Sequence, residues 1–147
     1  MECPTKLHLF AAKRIFRYLK GTIDFGMLYR KKTRSSMFLD LYGFTDSDYA
    51  GDVDDRKSTS GYVFTMGSGA ISWSSKKQSI MTLSTTEAKF VAATFCAYEV
   101  IDVVYYRSED QIADIMTKPL KPAVFMKLRN LLGVYSMKEV CDAQVLE

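Results

Sequence analysis

No stretch of this chain is apolar for long enough to cross a bilayer, which takes about 20 consecutive apolar residues. The opening MECPTKLHLF has neither a basic start feeding a long apolar run nor a small-residue cleavage site. A soluble, intracellular protein of cytoplasm or nucleus, with no membrane partner, is therefore expected. Cysteine is scarce: Cys3, Cys96 and Cys141 are odd in number and far apart, which fits neither a disulfide framework nor the paired spacing of a zinc site. The one histidine, His8, has no Cys or Asp at ligand spacing, so packing or surface is its expected place. Internal repeats and low-complexity segments are absent as well, which leaves an ordinary globular domain.

What is present is enough for one such domain. The 147 residues are 48% apolar, so a real core can form, though not two independent ones. The net charge of +3 conceals an asymmetry, since nine Lys or Arg in residues 1–34 face only Glu2 and Asp24. From Pro4 to Lys20, apolar Leu7, Phe10, Ala11, Ile15, Tyr18 and Leu19 recur at helical spacing beside a stripe of Lys6, Lys13, Arg17 and Lys20, and Gly21 ends the helix. FGMLYRK (25–31) and FLDLYGFTD (38–46) read as strands. SGYVFTMGSGAISWSS places two more around the Met66–Gly69 turn, a hairpin signal because glycine supplies positive φ. Ser84 and Glu87 then form an S-x-x-E capping box ahead of a nearly continuously apolar helix to Ile101, expected to be buried with Phe90, Phe95 and Tyr98 in the core. Val103 to Tyr106 read as a short strand, Ser108-x-x-Gln111 as a further capping box before a short helix closed by Pro119, and residues 121–134 as a last amphipathic helix. The tail from Tyr135 is expected to be loosely held. This order reads as a mixed α/β or α+β domain.

The acidic run FTDSDYAGDVDDR puts Asp46, Asp48, Asp52, Asp54 and Asp55 within ten positions. A calcium loop fails at its third ligand, where Ala50 stands, and at its last, where Lys57 replaces the bidentate Glu. Asp52, Asp54 and Asp55 follow Gly51 and are expected to bond nearby backbone in a solvated turn. Asp46 differs, because it closes an apolar strand and so sits on a rigid element, as a metal ligand should. A two-metal site needs carboxylates from several elements. Glu87 and Asp114 are the other acids placed for convergence, although capping explains Glu87 and a solvated helix face explains Asp114 equally well.

PTKLHLFAAKRIFRYLKGT, GFTDSDYAGDVDDRKSTSGYVF, GAISWSSKKQ, LSTTEAKFVAA and EDQIADIMTKPL together resemble the ribonuclease H domain of Copia-type retrotransposon Pol polyproteins, with the end of the reverse transcriptase before it. The resemblance covers nearly all of residues 4–134. It implies a mixed five-strand sheet, its first three strands antiparallel, with helices on its faces, and two-metal hydrolysis of the RNA strand of an RNA/DNA hybrid using Mg2+ or Mn2+. It makes Asp46 the first-strand carboxylate, Glu87 the helix carboxylate and Asp114 the late carboxylate. It divides the chain into a basic connection (1–34), a ribonuclease H-like domain (35–120) and a C-terminal helix and tail (121–147).

Relatives in this family carry, between the counterparts of Ile101 and Val103, a strand ending in a D-N-x-x-A-type motif, further helices and a histidine-bearing segment. All of that is missing, and with it a fourth metal ligand. Asp102 lies at the junction but starts a strand, whereas the lost ligand ends one. Lys89 stands where relatives have another acid. The fold is therefore expected to be a truncated ribonuclease H-like one lacking a central strand and the helices after it, and the function that of a remnant, inactive on hybrid and weakly nucleic-acid-binding. Lys13, Arg14, Arg17 and Lys20 would contact phosphates, with Trp73, Lys76 and Lys77 a second contact surface. The alternatives are an active magnesium- or manganese-dependent nuclease, and a secreted RxLR-type effector of downy mildews acting on host plant proteins, which such element-derived chains also resemble. For the latter, Arg17-Tyr-Leu-Lys20 is a near miss of R-x-L-R.

Overall fold

A computed structural model describes residues 3–30, 41–96, 107 and 110–144. The expected strand at Val103–Tyr106, the capping Ser108, Asp102, Tyr98 and the start of the strand at Phe38 lie outside them. The chain forms two compact units, Met1–Gly26 with Tyr135–Glu147, and Met27–Val134.

In the first unit, helix α1 (Lys6–Gly21) begins at Thr5, whose hydroxyl accepts from the His8 backbone N–H while the Thr5 N–H donates to His8 Nδ1 at 3.0 Å. His8 is thus a capping residue on the surface, in the position where Glu or Gln usually completes such a box. Every α1 side chain is at least partly exposed, Leu7, Phe10 and Phe16 included. Strand β1 (Phe25–Met27) pairs with β5 (Val134–Ser136). Contrary to the expectation of a loose tail, the chain from Tyr135 continues into helix α5 (Met137–Gln144), and the Met137 N–H donates to the Asp24 carbonyl at 2.8 Å.

In the second unit, β2 (Leu41–Ser47), β3 (Thr59–Met66) and β4 (Gly69–Lys77) form an antiparallel sheet in the order β2-β3-β4. Gly67, at φ +65°, makes the expected tight turn between β3 and β4. One face carries Phe44, Val63 and Ala70, which pack with Ile112, Ala113 and Leu132 as the core. Helix α3 (Asp114–Thr117) lies on this face, and helix α4 (Pro122–Leu131) follows it, opened by a proline that needs no amide partner in the first turn. After α4 the chain passes Gly133 at φ +80°, where a Cβ would stand 2.9 Å from both the Gly69 Cα and the Ser68 carbonyl oxygen. Only glycine allows the approach that lets the Ala70 N–H reach the Leu132 carbonyl at 2.9 Å.

Helix α2 (Thr85–Cys96) also packs against β2 and β3. Its buried side chains are Ala88, Ala92 and Cys96, a stripe of small residues at four-residue spacing that brings the helix axis close to the strands. Phe90 and Phe95, expected in the core, are instead exposed. Their apolarity is real, but Phe90 lies two residues, about 200° of helix, from Ala88, so the face that meets the sheet excludes it. Phe95 and Cys96 border an open groove of about 340 Å³ over Leu41, Tyr62, Phe64, Ile71 and Ser72. The described residues are thus a mixed α/β arrangement of helices and antiparallel strands, compatible with a truncated ribonuclease H-like fold.

Candidate carboxylate site

Asp46 lies inside β2, one residue before its end, on the face that also buries Phe44. In the β2–β3 ladder it stands opposite Gly61. A Cβ on Gly61 would meet Met116 Cβ at 2.7 Å and Thr117 Cγ2 at 2.8 Å. The bare backbone there is what admits α3 to the sheet beside Asp46.

Two side chains of α3 and its C-cap residue then converge on Asp46. Thr117 donates its hydroxyl to Asp46 Oδ2 at 2.9 Å. The Lys118 ammonium lies 3.3 Å from the same oxygen and 2.8 Å from Asp114 Oδ2. Both carboxylates are deeply buried, Asp46 at 4% and Asp114 at 6% exposure. Burial pushes the Asp114 carboxyl above its ordinary range, and the adjoining Asp46 carboxyl adds to that, while Lys118 works against it. Burial alone would lower Lys118; the bond to Asp114 and the charges of Asp46 and Asp114 outweigh it, and the net direction is up. Lys89, from α2, reaches to 3.8 Å of Asp46 Oδ1.

Of the three sequence-derived candidates, Asp46 and Asp114 meet and Glu87 stays apart. Glu87 Oε2 accepts the Leu83 N–H at 2.7 Å and the Glu87 N–H donates to Ser84 Oγ at 3.1 Å, so its carboxylate is engaged in starting α2. Among the described residues no three Asp, Glu, His or Cys side chains are grouped to hold a metal ion. A magnesium or manganese pair does not fit this donor set: two carboxylates supply too little negative charge for two divalent ions, and an ammonium already bridges them.

The rest of the acidic run holds the loop together, as expected. Asp52 Oδ1 accepts the N–H groups of Asp54 and Asp55 at 2.9 and 3.1 Å. Lys77 lies 2.7 Å from Asp52 and 2.9 Å from Asp55, and its hydrogen bond, with those two amides, holds the Asp52 carboxyl well below the carboxylate range. The Asp48 carboxylate accepts the Thr59 N–H at the entry to β3. Lys77 is therefore engaged within the loop, while Trp73 and Lys76 are exposed on β4. On α1, Lys13, Arg14, Arg17 and Lys20 are all exposed, and the helix contains no acidic residue.

Sequence reasoning missed Lys118, Thr117 and Gly61. The signal for Lys118 was present in the Asp114-x-x-x-Lys118 spacing, which puts an acid and a later base on one helical face. Thr117 and Gly61 become legible only once α3 is known to cross the sheet at Asp46.

Over 101 residues, 69% of this chain and 7% of the relative, it is 46% identical to the retrovirus-related Pol polyprotein from transposon TNT 1-94 of Nicotiana tabacum. Over 199 residues, 96% of this chain and 13% of the relative, it is 31% identical to the retrovirus-related Pol polyprotein from transposon RE2 of Arabidopsis thaliana. It is also 40% identical over 99 residues to secreted RxLR effector protein 161 of Plasmopara viticola, covering 67% of this chain and 66% of that protein. The chain thus spans only a small part of the polyproteins it matches. The RE2 alignment is more than fifty residues longer than this 147-residue chain, so that relative carries residues with no counterpart here. No family model and no solved structure matches.

Proposed function

Because this chain is a derivative of the Pol polyproteins of Copia-type retrotransposons, we propose that it is a ribonuclease H-type remnant that leaves RNA/DNA hybrids uncleaved and retains weak nucleic-acid affinity through its basic helix. The observation that carries the first half is the Asp46–Asp114 pair bridged by Lys118, with Glu87 held at the start of α2. In-line phosphoryl hydrolysis by two metals depends on a clamp that stabilises both attacking and leaving oxygens, and a set of two acids neutralised by a lysine does not support such a clamp. The second half rests on the exposed, acid-free stripe of α1, since phosphate contacts come from cations that remain available.

The test is incubation of the purified chain with a labelled hybrid in Mg2+ and, separately, in Mn2+. The expected result is no cleavage above that of an Asp46→Asn control. Cleavage at an ordinary enzymatic rate that is lost in Asp46→Asn would overturn the reading. Binding is measured on hybrid, duplex and single-stranded probes over a salt series; affinity without salt dependence would remove the role of α1.

A second reading is favoured by the match to an RxLR-named protein, of which this chain covers far more than it does of the TNT 1-94 and RE2 polyproteins. In that reading the domain acts as an interaction surface on host plant proteins. Export of the chain from its producing cell is the discriminating measurement.

A further inference from the structure

We propose that Lys118 is the resident cation of this site: its ammonium takes the position between Asp46 and Asp114 that a divalent ion would need, and thereby keeps such ions out. The proposal rests on the reading of the cluster as a relic of a metal site. Its physical basis is charge and reach. Lys118 Nζ sits 2.8 Å from Asp114 Oδ2 and 3.3 Å from Asp46 Oδ2, so one positive group contacts both carboxylates at once.

Three of the four carboxylate oxygens that a metal could take already face a donor or a cation. Asp46 Oδ2 accepts from Thr117 and faces Lys118, Asp114 Oδ2 faces Lys118, and Asp46 Oδ1 has Lys89 at 3.8 Å. Magnesium demands oxygens at about 2.0–2.1 Å in near-octahedral array. To reach that distance it must displace an ammonium tied to the chain at the end of the same helical turn that carries Asp114. A tethered cation returns at an effective concentration a free ion has to exceed. Both acids are more than nine-tenths buried, so repulsion between an entering ion and an undisplaced ammonium is poorly screened. Lys118 itself is 41% exposed along its side chain, which gives it a path out when its charge is removed or its length changed.

Three outcomes are read from Mn2+ binding, followed by electron paramagnetic resonance on the full chain. Wild type is expected to bind no Mn2+ at Asp46 up to millimolar concentration. Lys118→Met, which keeps an unbranched side chain one atom shorter and removes the charge, is expected to bind Mn2+ at least tenfold more tightly, and Asp46→Asn added to Lys118→Met is expected to abolish that gain. Wild-type binding that disappears in Asp46→Asn, or Lys118→Met with no gain, overturns the proposal. Should Lys118→Met fail to fold, thermal unfolding of wild type in MnCl2 against NaCl of equal ionic strength still decides: no metal-specific rise in Tm supports a resident lysine, and a rise lost in Asp46→Asn refutes it. Metal binding by wild type without hybrid cleavage would sink this inference and leave the non-hydrolytic reading standing; cleavage would sink the latter.

Discussion

Gly61 stands directly across the β2–β3 ladder from Asp46, and the absence of its side chain is what allows Thr117 of α3 to reach the Asp46 carboxylate. A methyl at this point would press on Met116 Cβ and Thr117 Cγ2 at under 3 Å, and neither atom is the far end of a flexible side chain. Gly61→Ala is therefore expected to cost about 1–3 kcal/mol, in the range of overpacked cores, measured by urea unfolding. Gly21→Ala is the control: nothing lies within 4 Å of its would-be Cβ, and it ends a helix, so the change should be neutral or slightly stabilising.

Gln78 joins the sheet to α2 from a buried position. Its Nε2 lies 3.2 Å from Ser47 Oγ, 2.9 Å from Ser60 Oγ and 2.9 Å from the Ala88 carbonyl oxygen, which ties β2, β3 and the small-residue face of α2 to one amide. Its Oε1 is buried without a partner. Gln78→Ala removes that orphan but also strips a donor from the Ala88 carbonyl, and the expected loss is about 1–3 kcal/mol in chemical denaturation. Gln78→Met, which refills the volume and buries no polar atom, should recover part of it. If Met were no better than Ala, lost packing would not be part of the effect.

Local signals foretold the hairpin at Gly67, the capping of α2 by Ser84 and Glu87, and the Asx-type bonding of Asp52, because each is settled by residues within a few positions of one another. Asp46 and Asp114 were legible as candidates alongside Glu87, from their placement and from the family resemblance, but that these two meet while Glu87 does not depends on a crossing that no local pattern encodes. The exposure of Phe90 and Phe95 was not legible: an apolar helix announces burial, but which stripe meets the sheet is decided by how closely Ala88 and Ala92 let it approach. The fold of the tail after Tyr135 was missed for a similar reason, as its anchor is the distant Asp24 carbonyl.

Lys118 gives the site a pH signature opposite to that of a salt-bridged carboxylate. Its folded-state pKa is raised above the ordinary 10.5, so above that value the folded chain keeps a proton the unfolded chain has lost, and stability must fall as pH rises through the folded value. The contribution is fully present below the ordinary lysine value. Asp114 is raised too, by burial first; for an acid this means the fold gains stability on protonation as pH drops below its folded value, and is penalised above it. Urea unfolding from pH 7 to 11 should show an alkaline decline in wild type that is weaker in Lys118→Met. An identical decline in both would place the titrating group elsewhere.

The basic stripe of α1 makes a quantitative prediction about salt. With Lys13, Arg14, Arg17 and Lys20 each neutralising one phosphate, the logarithm of the duplex binding constant should fall with the logarithm of salt concentration at a slope of about −3.6, from counterion release of about 0.9 per contact. Lys13→Gln with Arg17→Gln should reduce the slope by about 1.8, with affinity falling on every probe alike, because phosphate contacts carry no sequence information. Trp73→Ala discriminates a second surface: on single strands, loss of a stacked indole would weaken binding with no change in slope. If the Gln pair left the slope intact while Lys76→Gln reduced it, the contact surface would be the outer face of β4 and not the helix.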